Sequence, residues 1–303
     1  MSQETGHYLF YAGINTFGGY KHSTDLENVD IAVMGVPFDA GTTNRSGAKM
    51  GPNAVRNMSR LVFGFNYMWE GELDLDEVCP NIIDYGDVGQ AYGSTAVNSM
   101  IEETFNHADK IIQSGAKLLT IGGDHTIPYV PVRAVHKKYG KVALLHFDSH
   151  QDTIPSNGII SHANFAYDLV EEGCVDPSKS VQACIRTPLD NIGYNIIYSR
   201  DVMEMKPEEL AGKIKNIIGD TPVYLTFDVD SLDPAYAPGT GTPVVGGPST
   251  HYMRTVLRNL AGLNVVAGDI VEVSPQYDHA DITALAAASV AQDIMCLMAH
   301  TKK

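Results

Sequence analysis

Three short stretches of this chain gather carboxylates and imidazoles at the ends of apolar runs. The first is Asp148-Ser149-His150-Gln151-Asp152, directly after Leu144-Leu145-His146-Phe147. In an extended strand side chains alternate between faces, so Asp148, His150 and Asp152, at i, i+2 and i+4, share one side. The second is Asp228-Val229-Asp230, where Val223-Tyr224-Leu225-Thr226-Phe227 ends; if the strand continues, both carboxylates again share a face. The third, Gly122-Gly123-Asp124-His125, follows Lys117-Leu118-Leu119-Thr120-Ile121. Like charges resist sharing a site unless a cation or a proton sits between them. An isolated Asp-x-His is ordinary in a loop or a helix cap, and Asp124 alone reads as such a cap. Four aspartates and two histidines at three strand ends read as a metal site, with His125, Asp148, His150, Asp152, Asp228 and Asp230 as candidate ligands. Carboxylate oxygen with some imidazole suits manganese, nickel or another borderline divalent ion better than a thiolate-loving one. Six ligands exceed what one ion needs where water must also bind, so two ions bridged by carboxylates fit the count.

Two further residues belong to the same question. Glu272 sits in Asp269-Ile270-Val271-Glu272-Val273, and a carboxylate inside a strand is costly unless paired. It either meets a core arginine or faces the site and a cationic substrate. His162, in Ser161-His162-Ala163-Asn164, is either an exposed loop histidine or a proton shuttle in a loop folded over the metals. The Gly239-Thr240-Gly241 that follows the second acidic pair is not a dinucleotide motif, because Pro243 interrupts it and no helix begins there. Its prolines and glycines describe a loop of defined turns.

The elements that must position these groups are legible as an alternation. Ile31-Ala32-Val33-Met34-Gly35-Val36 is a continuous apolar run closed by Pro37, as in a buried parallel strand. Residues 39–50 form a loop, and Pro52 marks a helix entry. After a less regular stretch through Trp69 and Asp76, strands are predicted at 82–87, 117–122, 142–147, 180–185, 223–227 and 264–273. Helices are predicted at 99–114, 130–138, 165–172, 208–218 and 251–261, and Gly115 is a C-cap. The Ala-rich segment Ile282–Ala299, interrupted by Gln292 and Asp293, reads as a buried or interface helix rather than a membrane span. Strands alternating with helices imply one parallel sheet covered on both faces, with the ligand beyond the carboxyl ends of its strands.

Composition bounds the rest. At 303 residues and 44% hydrophobic, the chain has ample core for one large α/β domain. A net charge of −15 argues against nucleic-acid binding, which needs a basic footprint, and favours cations near the surface. Cys79, Cys174, Cys184 and Cys296 show no metal-binding or redox spacing, so free thiols in a reducing cytosol are expected. No apolar stretch follows a basic start at the N-terminus, so a cytoplasmic location without membrane attachment is expected.

Taken together, these motifs resemble those of the ureohydrolase family, the arginase–agmatinase group. Gly122-Gly123-Asp124-His125, Asp148-Ser149-His150-Gln151-Asp152 and the run from Asp228 to Pro243 carry the resemblance. Gly51-Pro52 with Arg56, Val271-Glu272-Val273-Ser274-Pro275 and Ile282-Thr283-Ala284-Leu285-Ala286-Ala287 resemble the agmatinase branch. The resemblance spans about Ile31 to Met298. It implies a single three-layer α/β/α domain over residues 1–303, with a mainly parallel central sheet and an N-terminal arm over about residues 1–28. It also implies a dinuclear manganese centre and a trimeric or hexameric homo-oligomer.

Carried over by motif, His125, Asp148, Asp152 and Asp228 take the first ion. His150, Asp148, Asp228 and Asp230 take the second. Glu272 corresponds to the glutamate that binds guanidinium, Asp152 steers the proton of the activated water, and His162 donates to the leaving amine. The chain departs from the usual pattern at Ser149, Gln151 and Ala163-Asn164.

The implied reaction is hydrolysis of a guanidino group to urea and an amine, most simply agmatine to putrescine. The segment between Asp152 and His162 carries no Lys or Arg for a substrate carboxylate, while Asp190 suits a terminal ammonium, with Arg186 nearby as a counterweight. Other readings are a different guanidino substrate such as 4-guanidinobutyrate, and a non-catalytic metal-bound scaffold or regulatory subunit. A one-ion zinc deacetylase of amidated amines would leave His125 and an aspartate unexplained.

Overall fold

The apolar runs form strands because both of their faces find cover. The computed structural model describes residues 12–63, 73–89 and 93–300. Its strands are β1 (Lys21–His22), β2 (Ile31–Val36), β3 (Ile82–Asp87), β4 (Lys117–Gly122), β5 (Ala143–Phe147), β6 (Val181–Ile185), β7 (Asn195–Tyr198), β8 (Val223–Asp228) and β9 (Val265–Val271). They join in one sheet in the order β1-β3-β2-β4-β9-β8-β5-β6-β7, with every neighbouring pair parallel. The helices are α1 (Gly51–Phe63), α2 (Leu75–Val78), α3 (Ala96–Ser114), α4 (Tyr129–Tyr139), α5 (Phe165–Glu171), α6 (Ser199–Glu204), α7 (Pro207–Ile218), α8 (Thr250–Asn259) and α9 (Ile282–Ala299).

Alternate strand residues divide between two cores. Ile31, Val33, Leu119, Ile121, Leu145, Phe147, Leu225 and Phe227 pack with residues of α1, α2 and α6 to α9. Ala32, Met34, Val36, Leu118, Leu144 and Tyr224 pack on the other side with residues of α3, α4 and α5. The result is the expected three-layer α/β/α sandwich, a nine-stranded parallel sheet between two helical layers. Helix α9 is apolar and long enough to cross a membrane, but 78% of it is buried inside the fold. Its Asp293 is fully buried and paired with Arg254, Oδ2 to Nε at 2.7 Å, which accounts for the aspartate in the Ala-rich segment.

Several expected boundaries shift. The last strand ends at Val271 rather than 273, because Glu272 turns into the left-handed region at φ 64°. The strand leading to Asp148 begins at Ala143 and ends at Phe147. Strand β7 and helix α6 were not legible, since a four-residue edge strand holding one buried side chain carries no strong period. Trp69 and residues 1–11 of the expected arm lie outside the described residues. The described part of that arm is bound to the body: Phe17 is fully buried and β1 forms the sheet edge beside β3. Arg56, noted with the family motifs, is buried and donates from Nε and Nη2 to Asp84, at 2.8 and 3.0 Å, tying α1 to β3.

Parallel pairing puts all the carboxyl ends along one edge. In that order β4, β9, β8 and β5 are contiguous, so the segments carrying His125, Glu272, Asp228 with Asp230, and Asp148 to Asp152 emerge side by side. The loop after β2 flanks them on one side and the loop after β6 on the other.

Candidate metal centre

The backbone gathers the ligands by turns rather than by strand alternation. Asp148 follows the end of β5, and its Oδ1 accepts the His150 amide at 2.6 Å. Asp228 ends β8 and repeats the device, its Oδ1 accepting the Asp230 amide at 2.7 Å at the start of a 3-10 turn, Val229–Ser231. Such Asx contacts fold the chain back within two residues. Asp152 is held at φ 52°, a costly conformation for a residue with a Cβ. The expected shared face is therefore realised in loops, because each first aspartate caps the amide that a longer strand would have paired elsewhere. His125 follows a tight approach at Gly123, where a Cβ would lie 2.2 Å from the Phe38 carbonyl oxygen.

Six side chains converge at the carboxyl edge. His125 Nδ1 lies 2.8 Å from Asp148 Oδ2, 3.2 Å from Asp152 Oδ2 and 3.2 Å from Asp228 Oδ2. His150 Nδ1 lies 3.3 Å from Asp148 Oδ1 and 3.1 Å from Asp230 Oδ2. Asp148 thus turns one oxygen toward each histidine. His125 Nδ1 is buried and close to three carboxylates, yet in hydrogen-bonding geometry with none of them. A lone pair and several oxygens aimed at a common point are what a cation, rather than a proton, would satisfy.

The tautomers follow from the neighbours. Thr226 donates its hydroxyl to Asp269 Oδ1 at 2.6 Å, so it can only accept from His125 Nε2, 2.8 Å away. That places the His125 proton on Nε2 and leaves the Nδ1 lone pair facing the carboxylates. Tyr224 holds the other oxygen of Asp269 at 2.6 Å. Burial, the largest influence, raises the Asp269 pKa, and with partial relief from His125, Thr226 and Tyr224 it settles at about 6.

His146 joins the cluster as well, its Nε2 2.8 Å from Asp148 Oδ2. Gln182 donates to the Gln151 carbonyl at 2.6 Å and to His146 Nδ1 at 3.0 Å, so His146 Nε2 carries a proton and points it at Asp148. His146 orients a ligand and has no lone pair free for a metal. Sequence reasoning passed over both His146 and Asp269, although each is a polar side chain in the middle of an apolar strand.

The charges add to the demand for a cation. Burial is the largest influence on Asp228 and Asp230 and raises both, and mutual repulsion with Asp148 adds to it. Burial likewise opposes ionisation of Asp148, but the neighbouring histidines, His146 and His150 among them, overcome it and hold the pKa well below the usual carboxylate range. Burial lowers His150, yet Asp148 and Asp230 outweigh it and push the imidazole up to about 12.

Glu272 and His162 form a second unit. Glu272 is buried; its Oε1 accepts from the His125 amide at 3.0 Å and from His162 Nδ1 at 2.9 Å. Its Oε2 is buried with no partner among the described residues. Gly241 makes room for that oxygen, since a Cβ there would sit 3.3 Å from it and 2.9 Å from the Arg45 carbonyl oxygen. The core arginine considered as an alternative partner is not among its contacts. Burial lowers the His162 pKa most, but the Glu272 bond and the charges of Glu272, Asp152 and Asp124 push it up to about 9.

A cavity of about 500 Å³ opens over the cluster, lined by Thr43, His125, His150, Asp152, Ile154, His162, Ala163, Thr187, Pro188, Leu189, Asp228 and Thr242. Asp190 is exposed and stands one residue beyond this wall; its carbonyl accepts from Thr153 Oγ1 at 2.9 Å. The Arg186 guanidinium is occupied by backbone carbonyls of Cys184, Asp230, Ser231, Leu232 and Val244, so it braces loops. The departures are built in. Ser149 donates to Asp230 Oδ1 at 2.8 Å, Gln151 Oε1 accepts the Leu189 amide at 2.6 Å, and Asn164 donates to the Ile159 carbonyl at 2.6 Å.

A profile of the Arginase family matches residues 29–297. The chain belongs to the arginase family. An agmatinase of Chromobacterium violaceum is 45% identical over 298 residues, covering 96% of this chain and 91% of that protein. An agmatinase of Proteus mirabilis is 40% identical over 293 residues, 95% of each chain. Among solved structures, one described as a hypothetical agmatinase from Burkholderia thailandensis superposes with a TM-score of 0.91 at 42% identity, covering 96% of this chain and 92% of that one. Proclavaminate amidino hydrolase from Streptomyces clavuligerus superposes at 0.90 with 32% identity, over 96% and 99%. Fold, family and a His/Asp cluster able to bind a metal ion therefore agree with the resemblance read from the motifs.

Because Thr226 and Asp269 set the His125 tautomer, Asp269→Asn and Thr226→Val are each expected to weaken metal binding about 10–100-fold. Competition against a chelating dye measures this, and unchanged affinity in both variants would show that the relay does not tune the site.

Proposed function

We propose that the protein hydrolyses a small cationic guanidino compound to urea and an amine, with agmatine as the substrate and putrescine as the amine. The observation that carries this reading is Glu272. It is a buried carboxylate beside the metal cluster, with one oxygen filled by two N–H donors and the other unpartnered among the described residues. Leaving such an oxygen unpaired is costly, and a planar guanidinium supplies charge-assisted donors for it. The relatives named agmatinase support the same choice. A reading in which the cluster serves only as scaffold gives Glu272 Oε2 nothing to do.

His125, Asp148, Asp152 and Asp228 would hold one Mn2+ ion, and His150 and Asp230 would hold the other together with Asp148 and Asp228. Nickel or another divalent ion would also suit the oxygen–imidazole set. Bound there, the ions supply an activated water at neutral pH and Lewis-acid charge. Glu272 orients the guanidinium, Asp152 steers the proton released by the water, and His162 serves the leaving nitrogen. The natural setting we infer is a cytoplasmic homo-oligomer, trimeric or hexameric, acting in polyamine synthesis.

Substrate choice follows from the wall of the cavity. Its lining residues include Ile154, Ala163, Pro188 and Leu189 but no Lys or Arg among the described residues. The nearby Arg186 is committed to carbonyls. A substrate carboxylate would lose water there without gaining a partner, whereas an aliphatic spacer and a terminal ammonium near Asp190 would not.

Replacing Glu272 with Gln should leave metal content intact and lower kcat/KM by at least about 100-fold, the size seen when one aligned electrostatic partner is lost. If Glu272 served structure alone, the variant would melt earlier with full activity per folded molecule. Across substrates, kcat/KM under identical Mn2+ loading should rank agmatine above both arginine and 4-guanidinobutyrate. A guanidino acid turned over tenfold faster, about 1.4 kcal/mol in transition-state binding, would overturn the choice of agmatine.

A further inference from the structure

The loop between β2 and α1 grips the ring of His162 at the nitrogen opposite Glu272. The Thr43 amide lies 2.9 Å from Nε2, and the Thr43 hydroxyl lies 2.7 Å from the same atom. A backbone amide can only donate, so in this arrangement Nε2 is an acceptor and the ring proton is on Nδ1, directed to Glu272 Oε1. His162 is thereby held at both nitrogens, with its own amide fixed to the Gly41 carbonyl at 3.2 Å.

The two halves of Thr43 do different things. Its amide suits only the neutral imidazole. The charges of Glu272, Asp152 and Asp124 favour the protonated one. The hydroxyl is compatible with both: it donates to a bare Nε2 and, after rotation about its C–O bond, accepts from a protonated one. A residue expected to give a proton to a leaving nitrogen needs a partner that tolerates the change without moving the ring.

We infer that Thr43 is a positioning residue for His162: its hydroxyl holds Nε2 in either proton state and so keeps Nδ1 on Glu272. The inference rests on the hydrolytic reading given above. It assigns the loop after β2 a part in aligning the guanidinium partner, and it explains why Thr43 stands in the cavity wall.

The rest of the loop does not depend on this side chain. Gly41 donates its amide to Asp124 Oδ2 at 2.8 Å, and Gly47 donates to Asp39 Oδ2 at 2.8 Å. Asn44 reaches the Gly241 carbonyl at 3.1 Å. A substitution confined to the hydroxyl should therefore leave the loop folded.

Thr43→Val removes the hydroxyl at nearly constant shape, and Thr43→Ser keeps it. With agmatine, Thr43→Val is expected to lower kcat tenfold or more, with KM changed less than threefold and with metal content and melting temperature unchanged. Thr43→Ser is expected to retain kcat within threefold of the parent. Full kcat in Thr43→Val, or an equal loss in Thr43→Ser, overturns the inference. The crystal structure of the metal-loaded Thr43→Val protein decides the matter independently of turnover. A His162 ring displaced from Glu272 or split between orientations supports it, and an unchanged single ring orientation overturns it. If the parent protein releases urea from no guanidino compound, the hydrolytic reading fails by itself, and the ring orientation still decides the role of Thr43.

Discussion

The carboxyl edge of the sheet is organised by the need to keep Asp148 ionised while it is fully buried. An unpaired carboxylate at that depth would take up a proton; here His146 Nε2 donates to Oδ2 and the His150 amide donates to Oδ1, with the His150 ring 3.3 Å from Oδ1. Asp228 and Asp230 stand close enough to be driven the opposite way. The protein's own groups therefore cannot satisfy every carboxylate at once. Cations can, and the relays behind the cluster, Thr226 with Asp269 and Gln182 with His146, hold proton positions that leave His125 Nδ1 facing inward. Such oriented networks are where metal sites acquire their affinity.

Sheet order brings one more buried carboxylate up to that cluster. The last strand of the chain, β9, is inserted between β4 and β8. Glu272 consequently emerges between the segment that carries His125 and the segment that carries Asp228, and its Oε1 is filled by a donor from one of them. The left-handed turn at Glu272 ends the strand and is anchored by its amide on the Gly123 carbonyl at 2.9 Å. One inserted strand thus sets a buried carboxylate beside the His/Asp cluster, and the loops after β2, β5 and β6 line the cavity over that cluster.

Much of this is legible in the amino-acid order alone. The continuous apolar runs specify the strands and the layered architecture, because parallel strands buried on both faces need little else. The six candidate ligands stand out by residue type and by their place at the ends of those runs. The shared strand face expected for them is mistaken, since Asp148 and Asp228 cap turns instead of extending strands. Strand order is not legible: insertion of β9 depends on contacts between segments far apart in the chain, which no local pattern records. His146 and Asp269 are hidden for a related reason. Within a strand, a buried histidine or aspartate is distinguished from a mistake only by its partners, and those lie on β6 and β8. Asp190 is suggested by charge alone, and the structure places Leu189, its neighbour, in the cavity wall.

The central claim is that two cations share Asp148, and counting metal per chain tests it most directly. Elemental analysis of the fully active protein, paired with titration of metal-free protein against activity, should give two divalent ions per chain. Asp148→Asn, which keeps shape and removes the shared charge, should lose both ions together rather than one. Full activity at a single ion per chain, or an Asp148→Asn protein that still holds two, would contradict the account.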